Sequence, residues 1–280
     1  MPWKATEDVL AGPGVLDMKA GVMVGLTATE ILKDLNLLRR PVIILLHGDE
    51  EVGSPASRKV TESVARQCRA VYVLEPAQGE AGAYKTARKA VGMYRVSVRG
   101  RAAHSGVDFE SGHSAILELA KQLQVISSFT DLSLEITVNP GLIGGGTRSN
   151  VIAAEAGAEV DVRLARHRDV QTMDRKLRGL VAHDKMCTVE VTGEINRPPM
   201  ERNEATIGLF ERAKKLAAQM GLALDEAATG GGSDGNFTSA LGVPTLDGMG
   251  AVGAGAHANH EHLERKHLAP RTALLAAMMI

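Results

Sequence analysis

The chain has 280 residues, of which 44% are hydrophobic and 23% are charged, and its formal net charge is −1. These values are typical of a soluble globular protein that is long enough to form two domains. Because the basic residues are scattered, they argue against a nucleic-acid partner, and no apolar run is long enough to span a bilayer.

Two cysteines, Cys68 and Cys187, lie far apart in the sequence. This excludes a zinc site built from thiolates and argues against a disulfide framework. The first residues, Met1-Pro2-Trp3-Lys4, show no basic segment followed by an apolar one, so no export signal is expected. The cytoplasm is therefore the default expectation for the compartment.

The first predicted element is a helix that follows a glycine-rich loop containing Asp17. Apolar residues come after this loop at roughly helical spacing, from Val22 to Leu38. Asp17 has two interpretations at this point, because an Asp before a helix is either its N-cap or a member of a functional site.

A short apolar run, residues 41–46, predicts a buried strand, and the acidic turn His47–Ser54 follows it. Asp49, Glu50 and Glu51 would then lie at the carboxyl end of a strand, where ligands bind in open α/β sheets. Adjacent carboxylates repel each other unless a cation or a shared proton lies between them, so the turn predicts a metal site. A solvated acidic turn is the alternative interpretation.

The next segments extend the predicted sheet. Residues 54–68 predict a helix, and Val71–Leu74 predict a second buried strand that ends at Glu75. Strand, helix and strand in this order indicate a parallel pair with a right-handed crossover. Asp17, Glu51 and Glu75 are therefore expected at the same edge of the sheet.

The middle of the chain has a different pattern, with four strands and two helices in the order βαββαβ. The segments are residues 91–98, 111–126, 133–140, 154–164, 168–183 and 187–194. This order is typical of a ferredoxin-like unit and indicates a separate domain. Asn196-Arg197-Pro198-Pro199 is a candidate hinge at its end.

The last third returns to alternating helices and strands, with a helix at 203–220, a strand at 243–246 and a helix from about Leu268. A glycine-rich turn, Thr229–Gly235, leads into a further helix. A loop of small residues then carries three histidines, which are His257, His260 and His262.

Four of these residues, at predicted strand ends or in loops, offer the oxygen and imidazole donors that suit a zinc-like ion. They are Asp17, Glu51, Glu75 and His257. Glu50, beside a potential ligand, is placed to act as a general base.

Taken together, the motifs resemble those of the M20 metallopeptidase family, most closely its glutamate carboxypeptidase branch. They follow the family's order nearly from one end of the chain to the other. The segments are Gly12-Pro13-Gly14 with Asp17-Met18-Lys19, Asp49-Glu50-Glu51 with Gly53-Ser54, Glu75-Pro76, Gly100 to Gly106 around His104, Ser149-Asn150-Val151-Ile152 with Asp161-Val162-Arg163, Gly230-Gly231-Gly232-Ser233-Asp234, and His257.

The resemblance implies an α/β fold in which a zinc-peptidase-like catalytic domain, with a mostly parallel sheet, comprises residues 1–87 and 198–280. A ferredoxin-like (βαββαβ) lid and dimerisation domain, residues 88–197, would interrupt it. The resemblance also implies a homodimer formed through the lid domain and a small peptide or N-acyl amino acid as the substrate.

Metal and proton-transfer roles are implied in the same way. Asp17 matches a residue that bridges two zinc ions, Glu51 and His257 would complete one ion, and Glu75 would belong to the other. Glu50 matches the general base, which takes a proton from the attacking water and later returns it to the leaving amine.

Substrate contacts are implied for four further residues. His104 matches a histidine that stabilises the tetrahedral oxyanion in the active site of the second subunit. Arg163 and Asn150 match positions that hold a substrate carboxylate, and Arg197 is another candidate for that task.

The sequence departs from the family at its beginning. The family's first metal motif, a His followed two residues later by an Asp, precedes the segment that matches Asp17, and this chain has no histidine before His47. We therefore expect a chain that is shortened at its N-terminus and binds one zinc ion, through Asp17, Glu51 and His257, instead of two.

Three hypotheses for the function follow from this pattern. The first is a zinc-dependent hydrolase that cleaves an amide bond next to a C-terminal carboxylate, such as that of glutamate. The second is an impaired homologue that folds and dimerises without turnover. The third is a deacylase or desuccinylase with the same chemistry, and the sequence does not separate it from the first.

Overall fold

A computed structural model describes all residues from Met1 to Ile280. The helices are α1 (Ala20–Asp34), α2 (Arg58–Ala65), α3 (Ala115–Ser127), α4 (His167–Arg178), α5 (Glu204–Gln219), α6 (Gly235–Ala240) and α7 (Leu268–Met279). The strands are β1 (Lys4–Ala5), β2 (Val9–Ala11), β3 (Val71–Tyr72), β4 (Tyr84–Arg88), β5 (Ala90–Arg99), β6 (Thr137–Gly145), β7 (Glu155–Leu164), β8 (Thr188–Arg197), β9 (Glu226–Thr229), β10 (Thr245–Leu246), β11 (Gly253–Ala254) and β12 (His262–Glu264).

The chain forms two compact units. The large unit comprises Met1–Arg88 and Met200–Ile280, and the small unit comprises Lys89–Pro199. None of the helices combines the length and the apolar character that a membrane crossing requires.

The large unit contains mixed sheets. Four strands form an antiparallel sheet in the order β1-β2-β12-β11, and two parallel pairs join β3 with β10 and β4 with β9. Helices α1, α5 and α7 contribute most of the apolar residues of its largest core cluster. The predicted α/β class is confirmed, with a mixture of parallel and antiparallel pairs in place of a mostly parallel sheet.

Helix α1 is present as the sequence predicts, but its buried face is formed by other residues than expected from the apolar spacing. Val24, Ala28 and Leu32 recur every fourth position and are buried in the core. Leu26 and Leu35, which belong to the apolar series between Val22 and Leu38 that predicts the helix, are exposed. Periodicity identified the helix, whereas tertiary packing selected its buried side.

The buried strand predicted at residues 41–46 is wrong. These residues belong to no sheet, and the side chains of Ile43 and Leu46 are 55% and 64% exposed. A strand needs a hydrogen-bonded neighbour, and no other segment of the 280 residues pairs with this one. The apolar run shows that the segment is suited to burial, but nothing in the chain covers it.

The small unit has the element order βαββαβ, formed by β5, α3, β6, β7, α4 and β8. Its antiparallel sheet has the strand order β6-β7-β5-β8. Alternate residues such as Tyr94, Val96 and Val98 in β5 are buried, and they pack in one core with residues of α3 and α4. The sheet therefore has one face covered by helices, and β6 and β8 form its edges.

Candidate metal centre

Three side chains from distant parts of the sequence meet in the large unit. The Nε2 atom of His257 lies 3.1 Å from Oδ2 of Asp17 and 3.4 Å from Oε1 of Glu51. Each residue offers one ligand atom, and these atoms lie within 4.8 Å of one another. The structure thus brings together two carboxylates and one imidazole.

These separations fit a single metal ion. Ligand atoms that bind zinc tetrahedrally at about 2.0–2.1 Å lie about 3.3 Å from one another. The distances of 3.1 and 3.4 Å at His257 Nε2 are close to that value. Catalytic zinc sites use three N and O ligands from the protein and leave a position for water or substrate, as this donor set would.

Asp17 reaches the centre because its loop and helix pack closely against the segment after β3. A Cβ atom on Gly21 would lie 2.0 Å from the carbonyl oxygen of Leu74, so only glycine permits this approach. Asp17 does not cap α1, since the N-cap residue is Lys19. This rules out the capping interpretation of Asp17, and its membership of a functional site stays a prediction.

A residue not predicted from the sequence, Glu261, holds the loop of Asp17. Its carboxylate accepts hydrogen bonds from the backbone N–H groups of Gly14, Leu16 and Asp17, at 2.7, 2.8 and 3.0 Å. Burial would raise the pKa of Glu261, but these three bonds outweigh it and lower the pKa below the usual value. In the sequence, the feature that could have pointed to Glu261 is its place among the three histidines of one loop.

His257 occupies a strained position in that loop. Its φ of 62° lies in the left-handed region, which residues other than glycine seldom adopt. Strained backbone of this kind persists where surrounding structure enforces it, and it is concentrated at functional sites.

The acidic turn separates its three carboxylates into different roles. Asp49 accepts hydrogen bonds through Oδ2 from the backbone N–H groups of Ala56 and Ser57, at 2.8 and 3.0 Å, and so supports the chain before α2. The nearby Ser57 hydroxyl and the backbone hydrogen bond from Ala56 lower the pKa of Asp49. Glu50 and Glu51 follow in a single 3-10 turn, and Glu51 contacts His257.

Glu75, the fourth predicted ligand, is not one of the three residues that converge. Burial, followed by the negative charges of Asp247 and Asp17, raises its pKa to about 9. At neutral pH the protonated form of this carboxyl group is therefore favoured, in spite of the positive charge of Arg88, as long as no metal ion binds beside it.

The histidines next to the acidic turn and in the loop of His257 make other contacts. The Nε2 atom of His47 lies 2.9 Å from the hydroxyl of Thr61 in α2. His260 is exposed, and its carbonyl oxygen lies 3.0 Å from Nδ1 of His262. None of the three belongs to the convergent group.

The predicted substrate-binding residues all belong to the small unit. His104 is exposed, its segment pairs with that of Val151, and the backbone N–H of Ser105 donates to the carbonyl of Asn150 at 3.0 Å. His104 and Asn150 therefore lie on two neighbouring segments of the chain.

Arg163 in β7 and Arg197 in β8 both stand opposite Val91 of β5, one on each side. Directly opposed residues point to the same face of a sheet, so both arginines share one face. The guanidinium of Arg163 binds the carboxylate of Asp161 through two contacts of 2.9 and 2.8 Å, and Arg197 is 7% exposed.

Comparison with known proteins accounts for this combination of fold and site. The profile of peptidase family M20/M25/M40 matches residues 1–280. The chain is 27% identical over 283 residues to carboxypeptidase G2 of Pseudomonas sp. (strain RS-16), covering 100% of this chain and 68% of that protein. It spans between 38% and 62% of the length of seven other curated relatives.

Solved structures show the same fold at lower sequence identity. Aminopeptidase PepT from Bacillus cereus gives a TM-score of 0.76 at 21% identity, covering 99% of this chain and 75% of that one. The YXEP protein of Bacillus subtilis, described as a dinuclear metal binding peptidase, gives 0.68 at 19% identity, covering 91% and 69%. The match over all 280 residues shows that this chain belongs to peptidase family M20/M25/M40.

Proposed function

We propose that the chain is a zinc-dependent hydrolase of the M20 peptidase type, which cleaves the amide bond of a C-terminal glutamate-like residue or of an N-acyl amino acid. The observation that carries this proposal is the meeting of Asp17, Glu51 and His257 within 4.8 Å, with Glu50 directly before one of them. The family supports a hydrolase, and the site supports the use of a metal ion.

Asp17, Glu51 and His257 would hold the ion, which would supply Lewis acidity towards the scissile carbonyl. Glu50 would accept a proton from the attacking water at a carboxylate oxygen and return it to the leaving amine nitrogen. Asp49 is bound to the backbone of Ala56 and Ser57, so it does not compete with Glu50 for this role.

A substrate carboxylate would be bound by the small unit. Arg163 is oriented by hydrogen bonds from its Nε and Nη2 atoms to the carboxylate of Asp161, and Arg197 shares its face of the sheet. Two guanidinium groups on one face suit an anionic substrate, with Asn150 as an additional hydrogen-bond partner. His104 would stabilise the oxyanion in the active site of a second copy of the chain.

A second copy of the chain is the proposed partner, bound through the small unit. Leu142 and Ile143 of the edge strand β6 are both exposed although consecutive residues point to opposite faces. An exposed apolar edge strand is suited to pairing with another strand.

Hydrolysis of N-acyl glutamates, N-acyl amino acids without a side-chain carboxylate, and dipeptides tests the function. We expect cleavage in the presence of zinc, none after chelation, and none for Glu50→Gln with an unchanged metal content. Turnover by Glu50→Gln at the rate of the original chain would contradict the assignment of the proton transfer.

The same panel separates the alternatives. A deacylase would prefer N-acyl substrates irrespective of the glutamate side chain. A homologue that binds metal without turnover is favoured by one observation, which is that Glu75 stands outside the convergent group. That function would give a metal-loaded chain that cleaves none of the substrates.

A further inference from the structure

The acidic turn that carries Glu50 and Glu51 ends in a buried serine. Ser54 has no exposed surface, and its φ of 58° lies in the left-handed region. Its backbone N–H donates to the carbonyl of Asp49 at 2.8 Å, and the N–H of Gly53 donates to that of Glu50 at 2.9 Å. Ser54 therefore closes the turn and is also its deepest point.

The hydroxyl of Ser54 connects this turn to a segment 180 positions away. Its Oγ donates to Oδ1 of Asp234 at 2.5 Å. Next to this contact, the guanidinium of Arg58 lies over the ring of Phe237, 4.6 Å from its centroid. The chain after the acidic turn and the start of α6 are thus packed against each other by two polar contacts.

The residues of the glycine-rich turn that precede Asp234 are held in place by a buried ion pair. Arg88 binds the carboxylate of Asp247 through contacts of 2.7 and 2.9 Å, and both side chains are almost fully buried. The hydroxyl of Ser233 donates to the same carboxylate at 2.5 Å. Arg88 also donates to the carbonyl oxygens of Gly231 and Gly232.

The opposite side of the acidic turn has far less support. Val52, at the end of the short helix, is 75% exposed, and residues 41–46 before the turn belong to no sheet. Before the turn, the Nε2 atom of His47 lies 2.9 Å from the hydroxyl of Thr61 in α2. The chain on both sides of Glu51 is therefore tied to the segments that follow the turn, which are α2 and, through Ser54, the start of α6.

We propose that Ser54 and Asp234 are positioning residues, whose hydrogen bond holds Glu51 and Glu50 at the candidate metal centre. Neither residue contacts the ion or the substrate in this proposal, which rests on the metal site described under the proposed function. Residues that orient metal ligands without contacting the ion typically contribute about 10- to 100-fold to metal affinity.

The test measures cobalt(II) and zinc(II) affinity by titration calorimetry for the full chain, for three variants of Ser54 or Asp234 and for one control variant. Asp234→Ala and Ser54→Gly each remove the hydrogen bond, and the glycine also relieves the left-handed strain, so its effect does not arise from added strain. We expect both to weaken metal binding by about tenfold or more. Asp234→Asn keeps an oxygen that accepts from Ser54, and we expect it to retain most of the affinity.

Asp225→Ala is the matched control, because it removes an exposed carboxylate before β9 in the same unit. It should leave the metal affinity unchanged. Amide hydrogen exchange of the metal-free chain provides a second readout, since Ser54→Gly should speed exchange at Val52 and Gly53 and Asp225→Ala should not.

Unchanged metal affinity and unchanged exchange in both Ser54→Gly and Asp234→Ala would overturn the inference. Failure of the original chain to bind either metal would instead contradict the proposed function, and the exchange measurement would still decide whether Ser54 and Asp234 hold the turn. Should Asp234→Ala fail to fold, Ser54→Gly carries both measurements.

Discussion

The Nε2 atom of His257 lies 3.1 Å from Oδ2 of Asp17, although the two residues are 240 positions apart in the sequence. Such a pair forms only when the large unit is folded, because closing a loop of this length in an unfolded chain is entropically costly. A metal ion that binds both residues would therefore bind the folded chain far better than the unfolded one. Metal binding and stability should be coupled.

We predict that the chain binds about one equivalent of zinc and that zinc raises its melting temperature. A ligand present at about 100 times its Kd stabilises the folded state by about 2.7 kcal/mol. His257→Ala should abolish both effects. Elemental analysis of the dialysed protein and differential scanning calorimetry with and without chelator provide the measurements.

His260→Ala is the control for this experiment, since His260 lies in the same loop but outside the convergent group. It should bind and respond to zinc as the original chain does. Two full equivalents of zinc in the original chain would contradict the prediction and require a second set of ligands.

Glu261→Gln should weaken metal affinity by about 10- to 100-fold. The carboxylate of Glu261 accepts three backbone N–H groups around Asp17, whereas an amide offers one oxygen and turns its NH2 group towards at least one of those donors. Titration calorimetry with zinc measures the change. Glu80→Gln, at an exposed glutamate of the same unit, serves as the control, and equal affinities of the two variants would refute the prediction.

The sequence was informative about the candidate site where chemistry determines the residue type. Asp17, Glu51 and His257 could be singled out because carboxylates and an imidazole in loops suit a metal ion, and the structure brings them together. The roles of Glu261 and Ser54 could not be predicted, although both lie beside predicted site residues, since these roles depend on the backbone groups and the distant carboxylate that the two side chains contact. Such contacts depend on tertiary structure.

The fold shows the same division. Hydrophobic periodicity predicted α1 and the helices and strands of the small unit, because their own side chains form the pattern. Residues 41–46 have the composition of a strand but no neighbour to pair with, and composition contains no information about the neighbour. Glu51 therefore reaches the centre from a turn anchored at Ser54, and the strand that the sequence predicted before it is absent.

Ile143→Lys should convert a dimer of the chain into a monomer. Ile143 stands opposite Ala158 on the edge strand β6 and is 67% exposed, so a lysine there would place a charge in any interface formed by that edge. Val181→Lys, at an exposed apolar residue outside the sheet, should have no effect. Sedimentation velocity at several concentrations measures the assembly state, and a dimer that survives Ile143→Lys would exclude this edge.

The buried carboxylate of Glu118 should make the small unit sensitive to acid. Its side chain in α3 has no exposed surface and accepts hydrogen bonds from Gln122 at 2.7 Å and from the backbone N–H groups of His183 and Asp184 at 2.9 Å each. Burial alone would raise the pKa of Glu118, but these bonds outweigh it and lower the pKa to about 2. The charged form of Glu118 therefore stabilises the contact between α3 and the segment that follows α4.

The direction of the pH dependence follows from that shift. A glutamate titrates near 4.5 in the unfolded chain and near 2 in this fold, so its contribution is complete above pH 4.5 and is lost as the pH falls towards 2. The shift corresponds to roughly 3 kcal/mol. Glu118→Gln should lower the stability of the small unit by about 2–3 kcal/mol at pH 7, and the difference from the original chain should shrink between pH 4.5 and 2. Hydrogen exchange of the α3 amides across this pH range measures the difference in stability. Glu110→Gln, at an exposed glutamate, is the control. A difference that stayed constant with pH would show that the charge of Glu118 does not stabilise the unit.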